Sequence, residues 1–368
     1  MRALTLYLAY FVLLSGLAVF CYLRPTFQPD VAVYANAALQ RRGVTAEESH
    51  KVVFEALRAK FGAPVDNCPT PFWKSMLANP KYFAEQIPFF SVKPLFVWLG
   101  GFLGLWLGLI NGFLAVSAIS VFLLGAVVLV WVREPWVAAL FMLNISVLAI
   151  GRLGTPDALS TALVLAGLYC FHQSRLSYGM PLLLVSILAR PDNFVLMLVA
   201  MVALFLTKRI SLPIAALWLL AGSAFVFFTH HTSGSYSWQV LMVNSHYPIA
   251  NPADVSIKYG LRDYLFDLAI GLRSLPSSTQ LFIWIAAGLA AFRLIRESWT
   301  RWLLVVTAVA VFLRFLAFPI SQDRYFVWSY LVSGVCLAQV CLALSSAQGL
   351  EGESAKRFSA GPVRGERS

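Results

Sequence analysis

Uncharged apolar runs recur along this chain at lengths that match a lipid bilayer rather than a protein core. Residues 3–23, 210–229 and 326–344 contain no Asp, Glu, Lys or Arg. A run of roughly 18 or more apolar residues is long enough to cross the ~30 Å hydrocarbon layer as a helix. Inside that layer every backbone N–H and C=O must be paired internally, which leaves helices or closed barrels. Barrel strands would alternate apolar and polar residues, and these runs do not. Composition agrees: 59% of the 368 residues are hydrophobic and 12% charged, against about 25% charged in soluble domains. A single soluble core stops growing near about 250–300 residues. A soluble enzyme, a disordered chain and a collagen-like fibre are excluded, and an all-α, polytopic transmembrane protein is expected.

The net charge is +11, from 28 basic and 17 acidic residues. No basic run is interleaved with aromatics, so no nucleic-acid partner is indicated. Positive-inside loops and attraction to anionic headgroups or phosphate-bearing substrates account for the excess. The cysteines, Cys21, Cys68, Cys170, Cys336 and Cys341, form no CxxC. They indicate neither a zinc site nor a disulfide framework, with a Cys21–Cys68 bridge left open.

A first span at 3–23 lacks a small-x-small cleavage site before Arg24-Pro25 and reads as retained. It places 24–93 outside as a first external loop with amphipathic helices. There, Pro29-Asp30 opens a helical pattern through Leu39, and Thr45 and Glu48 make a capping box ahead of Val53, Leu57 and Phe61. A third piece, 72–90, is broken at Asn79-Pro80 and at Pro88. Such helices suit a membrane surface or a cap over a cavity. Arg41, Arg42, Lys51, Arg58 and Lys60 make this loop basic, a minor conflict for a loop of this length.

Read from the other end, 345–368 is expected to be a disordered cytoplasmic tail, closing a transmembrane domain over 1–344. Spans at 326–344, 302–318, 281–292 and 210–229 enclose an external turn at 321–325 and a cytoplasmic turn with Arg293, Arg296 and Arg301. They also enclose a second external loop at 230–279. His172–Arg175 and Lys208-Arg209 both read as cytoplasmic, yet residues 176–207 are too few for two crossings of about 20 residues and a turn. Two short helices meeting at Arg190-Pro191-Asp192-Asn193 are expected, a break tolerated only inside protein or along a wet cavity. Gly151–Asp157 opens another span, residues 95–131 hold two turning near Asn111-Gly112, and 135–150 is too short to assign. The sum is about 10–12 membrane-embedded helices.

An ionised side chain in a membrane helix costs roughly 3 kcal/mol or more and marks a functional candidate. This topology gathers Asp30, Lys93, Asp157, Arg190, His230, His231, Asp323 and Arg324 at the outer surface. Cations there suit phosphate, and a carboxylate suits activation of an acceptor or a divalent cation. Each has a structural alternative. Asp30 and Asp157 follow proline and could cap helices, with Arg152 as a partner for Asp157. Lys93 could snorkel, and Arg190 could pair with Asp192. The histidines could be satisfied interfacial residues, and Asp323-Arg324 could be an exposed ion pair.

Lys93-Pro94-Leu95-Phe96-Val97-Trp98-Leu99 resembles the Lys-Pro-Pro-Leu-x-x-Trp-Leu element of the GT-C superfamily of integral-membrane glycosyltransferases. That superfamily includes protein O-mannosyltransferases and aminoarabinose transferases. Asp30, with Tyr34 and Ala35, resembles its first-loop acidic motif. Gly151-Arg152 to Asp157-Ala158-Leu159 resembles its Arg-x-x-x-x-Asp-x-Leu segment, and Arg190-Pro191 and Arg324-Tyr325 resemble later motifs. The departures are Pro-Asp-Val in place of an Asp-Glu or Asp-x-Asp pair, one lost proline after Lys93, and no soluble C-terminal domain. The last leaves residues 235–273 to shape the acceptor site.

The resemblance implies a GT-C-like fold and transfer of a hexosyl or pentosyl unit from a polyprenyl-phosphate donor. The acceptor would be a lipid, glycan or protein at the outer face of a bacterial inner membrane. Asp30 would be the general base and Asp157 a second catalytic carboxylate, with Lys93, Arg190, Arg324, Tyr325 and His230 binding donor and phosphate. A divalent metal, where one is used, would sit at Asp30. A lipid-linked glycan flippase or transporter, which also uses half-helices, and an envelope polysaccharide polymerase are the rival readings.

Overall fold

The charge-free stretch after Arg2 forms α1 (Arg2–Leu23), which ends before Pro25, a residue with no N–H to continue the ladder. The computed structural model describes residues 2–359 apart from 235, 254–257, 276–278, 296–297 and 321. Ser235, Arg296, Ser321 and the tail beyond Ser359, with Arg364 and Arg367, lie outside the described residues.

The first loop holds α2 (Asp30–Gln40), α3 (Ala46–Phe61), α4 (Ala63–Asp66), α5 (Pro71–Ala78), α6 (Pro80–Ala84) and α7 (Ile87–Ser91). The Thr45 hydroxyl accepts from the Glu48 amide at 3.3 Å, as the capping pattern predicts. Asn79 ends α5 and caps α6 through the Lys81 amide. The break expected at Pro88 falls instead at Glu85-Gln86. Pro88 occupies the first turn of α7, where its missing donor is not needed.

A second correction concerns α2, which does not lie on a surface: Val31 to Ala38 are all buried. Small alanines let neighbours approach on every side, and an apolar helix of this kind goes to the interior. Its polar Asn36 is satisfied by the Ser49 hydroxyl at 2.7 Å. Tyr34, Phe54, Leu57, Trp73 and Phe83 complete a separate core under this loop.

The chain then enters a hairpin of α8 (Pro94–Leu107) and α9 (Leu109–Val132), bent by 118° from the α6–α7 segment. The turn is at Gly108 (φ +90°), three residues before the expected Asn111-Gly112. Gly112 instead lies in the first turns of α9, where a Cβ would stand 2.3 Å from the Gly100 carbonyl and the Gly104 nitrogen. Helix α9 is the centre of the bundle, packed on α1, α8 and the three helices that follow it. Those are α10 (Pro135–Met142) and α11 (Ile145–Arg152), bent by 60°, and α12 (Asp157–His172).

Next come α13 (Leu176–Ala189), α14 (Asn193–Leu206) and α15 (Leu212–Ser233). The second loop carries α16 (Trp238–His246) and α17 (Leu261–Ser274), and the chain closes with α18 (Thr279–Leu294), α19 (Ser298–Ala317), a 3-10 turn at Asp323–Tyr325 and α20 (Val327–Ser359). The described residues form no strand. The helix α20 continues through residues 345–359, which were expected to be disordered; that stretch has no proline and is rich in helix formers.

This is a polytopic helical membrane protein, and the expected 10–12 membrane-embedded helices include several that are too short to cross. Among the described residues five helices are long and apolar enough to cross, and seven if each bent pair counts as one span. Helices α12, α13 and α14 have 16, 14 and 14 residues, about 21–24 Å at 1.5 Å per residue, short of a ~30 Å layer. The two short helices expected around Arg190–Asn193 are α13 and α14. The five cysteines are free thiols, so Cys21 and Cys68 form no bridge.

Gly112→Ala forces the α8–α9 backbones apart, at a cost of about 1–3 kcal/mol. Its melting temperature in detergent, followed by fluorescence-detected size exclusion, is expected several degrees below wild type. Gly16→Ala, whose Cβ meets nothing within 4 Å, should melt with wild type.

Candidate functional site

Two Pro-Asp steps place carboxylates at helix starts, Asp30 opening α2 and Asp157 opening α12. Neither helix start has a side-chain cap bond, so the capping alternative fails for both. Arg324, in the turn before α20, donates from Nη1 to Asp30 Oδ2 at 3.1 Å. The same nitrogen lies 3.8 Å from Asp157 Oδ2. Asp157 is also hydrogen-bonded by the Arg190 Nη1 and by the Thr155 hydroxyl at 2.7 Å. Arg190, at the α13–α14 break, pairs again with Asp192 at 3.0 Å. Asp192 in turn accepts from the Arg314 Nε of α19 at 2.9 Å.

The order Asp30, Arg324, Asp157, Arg190, Asp192, Arg314 is thus a chain of alternating sign across five parts of the fold. Its side chains are between 2% and 24% exposed, so each charge depends on its neighbours rather than on water. The Tyr325 ring sits among three of the guanidiniums, with Arg190, Arg314 and Arg324 centred 4.4, 4.5 and 5.0 Å from it. Its hydroxyl accepts from Arg324 Nη2 at 3.0 Å. Lys93 enters from the α7–α8 bend, donating to the Tyr34 hydroxyl at 2.9 Å and lying over the rings of Tyr34 and Phe90. Tyr34 stands one turn after Asp30 on α2, which brings Lys93 to the same end of the bundle.

Asp30, Lys93, Asp157, Arg190, Arg324 and Tyr325 are therefore brought together at one end of the bundle. None of the described hydrogen bonds or ion pairs ties His230, half-buried in the last turn of α15, to these charges. His231 stacks on Phe227 at 5.6 Å. Arg152 is not the partner of Asp157; it donates to the Arg24 carbonyl and lies over Phe20. Asp323 accepts from the Tyr330 hydroxyl at 3.0 Å rather than pairing with Arg324.

Arg314 belongs to the site and was not singled out from the sequence. The signal was present, because it is the one charge inside the expected 302–318 span. Among the described residues no three His, Cys, Asp or Glu side chains gather as metal ligands. The carboxylate of Asp30 faces a guanidinium, so the residues present do not form the site expected for a divalent ion there.

Two cavities lie on either side of α19 at this end. A small polar cleft is lined by Asp157, Ser160, Arg190, Arg314, Arg324 and Tyr325. An apolar cavity of about 540 Å³ lies among α17–α20, lined by Trp284, Leu304, Val311, Phe312 and Phe315 and bounded by Phe326 and Tyr330. One turn of α19 separates them, with Arg314 on the polar side and Val311 and Phe315 on the apolar side. No protein-family model, curated protein or solved structure matches this chain.

Arg190 holds the buried Asp157 and the partly buried Asp192, so Arg190→Met leaves both without it. Breaking buried pairs of this kind costs about 3–5 kcal/mol. Loss of folded protein in detergent is expected, with partial recovery in Arg190→Met combined with Asp157→Asn. A double variant no better than the single one would show that the pair does not carry this energy.

Proposed function

We propose that this protein is a membrane glycosyltransferase that moves a sugar from a polyprenyl-phosphate donor to an acceptor hydroxyl or amine, at the outer face of a bacterial inner membrane. The observation that carries the reading is the meeting of Asp30 with Arg324, with Lys93 bonded to Tyr34 of the same helix and an apolar cavity across one turn of α19. A ligand with a long apolar tail and an anionic head matches that juxtaposition. Charges gathered at one end favour this over a transporter, whose charged groups would be spread along a path through both halves.

In the proposed step Asp30, 23% exposed at its side chain, takes the proton of the acceptor group. The acceptor oxygen or nitrogen bonds to the anomeric carbon, and the bond from that carbon to the phosphate oxygen breaks. The electron pair leaves with the polyprenyl phosphate. Lys93 and Arg324 face the departing charge, and stabilising such a charge is usually the largest contribution to catalysis.

Arg190 is engaged by two carboxylates and takes a different role from the one the resemblance implies. It holds Asp157, which positions Arg324. Asp157, 2% exposed at its side chain, is accordingly a positioning residue in this scheme.

The test is release of free polyprenyl phosphate from a panel of polyprenyl-phosphate sugars by purified protein in nanodiscs. Asp30→Asn is expected to lower turnover about 10²–10⁴-fold, the usual range for a lost general base, with the protein still folded because Arg324 keeps Asp157 at 3.8 Å. If no donor in a broad panel is consumed, the reading is wrong.

A further inference from the structure

One face of α8 is left uncovered by the chain. Trp98, Phe102, Leu105 and Trp106 recur at i, i+4, i+7 and i+8, the spacing of a single helical stripe, and each is more than half exposed. The opposite face, with Phe96, Val97, Gly100 and Gly101, is buried on α2 and α9. A contiguous exposed stripe of this kind marks contact with lipid or with another protein. Two guanidiniums border it. Arg41 lies over the Trp98 ring at 5.9 Å and donates to the Ser91 carbonyl at 3.2 Å, and Arg42 donates to the Gly101 carbonyl. Both are exposed, and neither meets a carboxylate among the described ion pairs. A guanidinium has five N–H donors, so each keeps donors for an anion.

Depth decides between lipid and protein. Helix α12 runs from Asp157 to His172, about 24 Å at 1.5 Å per residue. Just beyond it, beside Arg175, the Ser174 hydroxyl accepts from Arg209 at 3.0 Å. With those charges at the far surface of a ~30 Å layer, Asp157 lies about 6 Å beneath the near surface. Ser117 of α9 is level with it, donating to the Thr155 carbonyl at 3.1 Å. From Ser117 to Leu109, α9 climbs about 12 Å. Helix α8 starts beside Lys93 at the same end of the bundle and uses 14 residues to reach the same turn at Gly108, about 21 Å. It therefore runs obliquely, from just beneath the near surface into the headgroup layer, and does not cross the hydrocarbon.

We propose that α8 is a membrane-surface helix: its Trp98–Trp106 stripe seats in the leaflet on the site's side, and Arg41 and Arg42 hold the phosphodiester of an anionic phospholipid there. Tryptophan beside arginine at this depth is the side-chain pattern of an interfacial helix, and guanidinium suits phosphate oxygens. The helix takes the place of the first of the two crossings expected within 95–131. The proposal is independent of the transferase reading. Its consequence for the site is positional. Lys93 immediately precedes the first turn of α8, so the seated helix holds that ammonium just beneath the headgroup plane, a depth that an anionic group carried on a membrane lipid reaches.

The test uses the full chain in nanodiscs of phosphatidylglycerol and phosphatidylcholine. Nitroxides are placed singly at Phe102→Cys and Trp106→Cys, in a chain whose Cys68, Cys170 and Cys341 are replaced by serine, and read against lipids labelled at known depths. Collisions with oxygen should exceed those with a water-soluble nickel chelate, at a depth within about 10 Å of the phosphates. Labels at the bilayer midplane would mean that α8 crosses, nickel-favoured labels that it faces water, and labels shielded from both that a protein covers it; each overturns the proposal. For the headgroup, dihexanoyl phosphatidylglycerol is titrated into the detergent-solubilised chain and the melting temperature followed. At ten times its dissociation constant it should raise the folded-to-unfolded ratio about tenfold. Arg41→Gln with Arg42→Gln should lose that rise, and Arg41→Lys with Arg42→Lys should keep most of it. An equal rise with dihexanoyl phosphatidylcholine or with inorganic phosphate, or a rise retained in the glutamine pair, overturns the headgroup assignment.

Discussion

A buried row of alternating charges fixes where the rest of this molecule can sit. Asp30, Arg324, Asp157, Arg190, Asp192 and Arg314 sum to zero, three carboxylates against three guanidiniums, and each is held by at least one neighbour of opposite sign. In a medium that solvates ions poorly, removing one partner strands another. The row links the first loop, the start of α12, the α13–α14 break, α19 and the turn before α20. Lys93 adds a further positive charge whose direct contacts, the Tyr34 hydroxyl and two rings, are neutral. The site therefore keeps one cation whose hydrogen bond is to a neutral group, the arrangement an arriving anion requires.

The row also explains how an apolar cavity and a polar cleft share a wall. Helix α19 presents Arg314 to one and Val311, Phe312 and Phe315 to the other. Phe326 and Tyr330 bound the apolar side, just after Arg324 and Tyr325, and Tyr330 holds Asp323. A tail that spreads α18, α19 and α20 would move side chains adjacent in sequence to the ionised row. Packed interiors transmit such displacements rather than absorb them.

The parts legible from sequence are those written in local chemistry. Uninterrupted apolar runs gave α1, α15 and the membrane part of α20, and the Thr45–Glu48 pair marked α3. The shortage of residues between 176 and 207 foretold the α13–α14 break. Charges in apolar surroundings pointed to Asp30, Lys93, Asp157, Arg190 and Arg324. What could not be read depends on partners distant in sequence. Asp192 gains Arg314 from 122 residues away, and α2 is buried because α3, α7 and α8 close over it. Hydropathy does not measure length: α12–α14 are apolar enough to be embedded but too short to cross unaided.

The two Pro-Asp steps show why these carboxylates and not others reach the centre. A carboxylate in the first turn of a helix faces the positive end of the peptide dipoles, an interaction worth roughly 0.3–1 kcal/mol when exposed and more when partly buried. An aspartate at the cap position itself would turn its carboxylate onto its own helix. Here proline occupies the cap position at residues 29 and 156. It brings no side-chain acceptor, and neither aspartate folds back to supply one. Each is stabilised by its helix while its carboxylate reaches across to guanidiniums, Asp30 to Arg324 and Asp157 to Arg190 with Arg324 at 3.8 Å. Two helix starts thus deliver negative charge to one guanidinium without either paying for it in broken caps, and that is what lets a row of ions persist at the end of an otherwise apolar bundle.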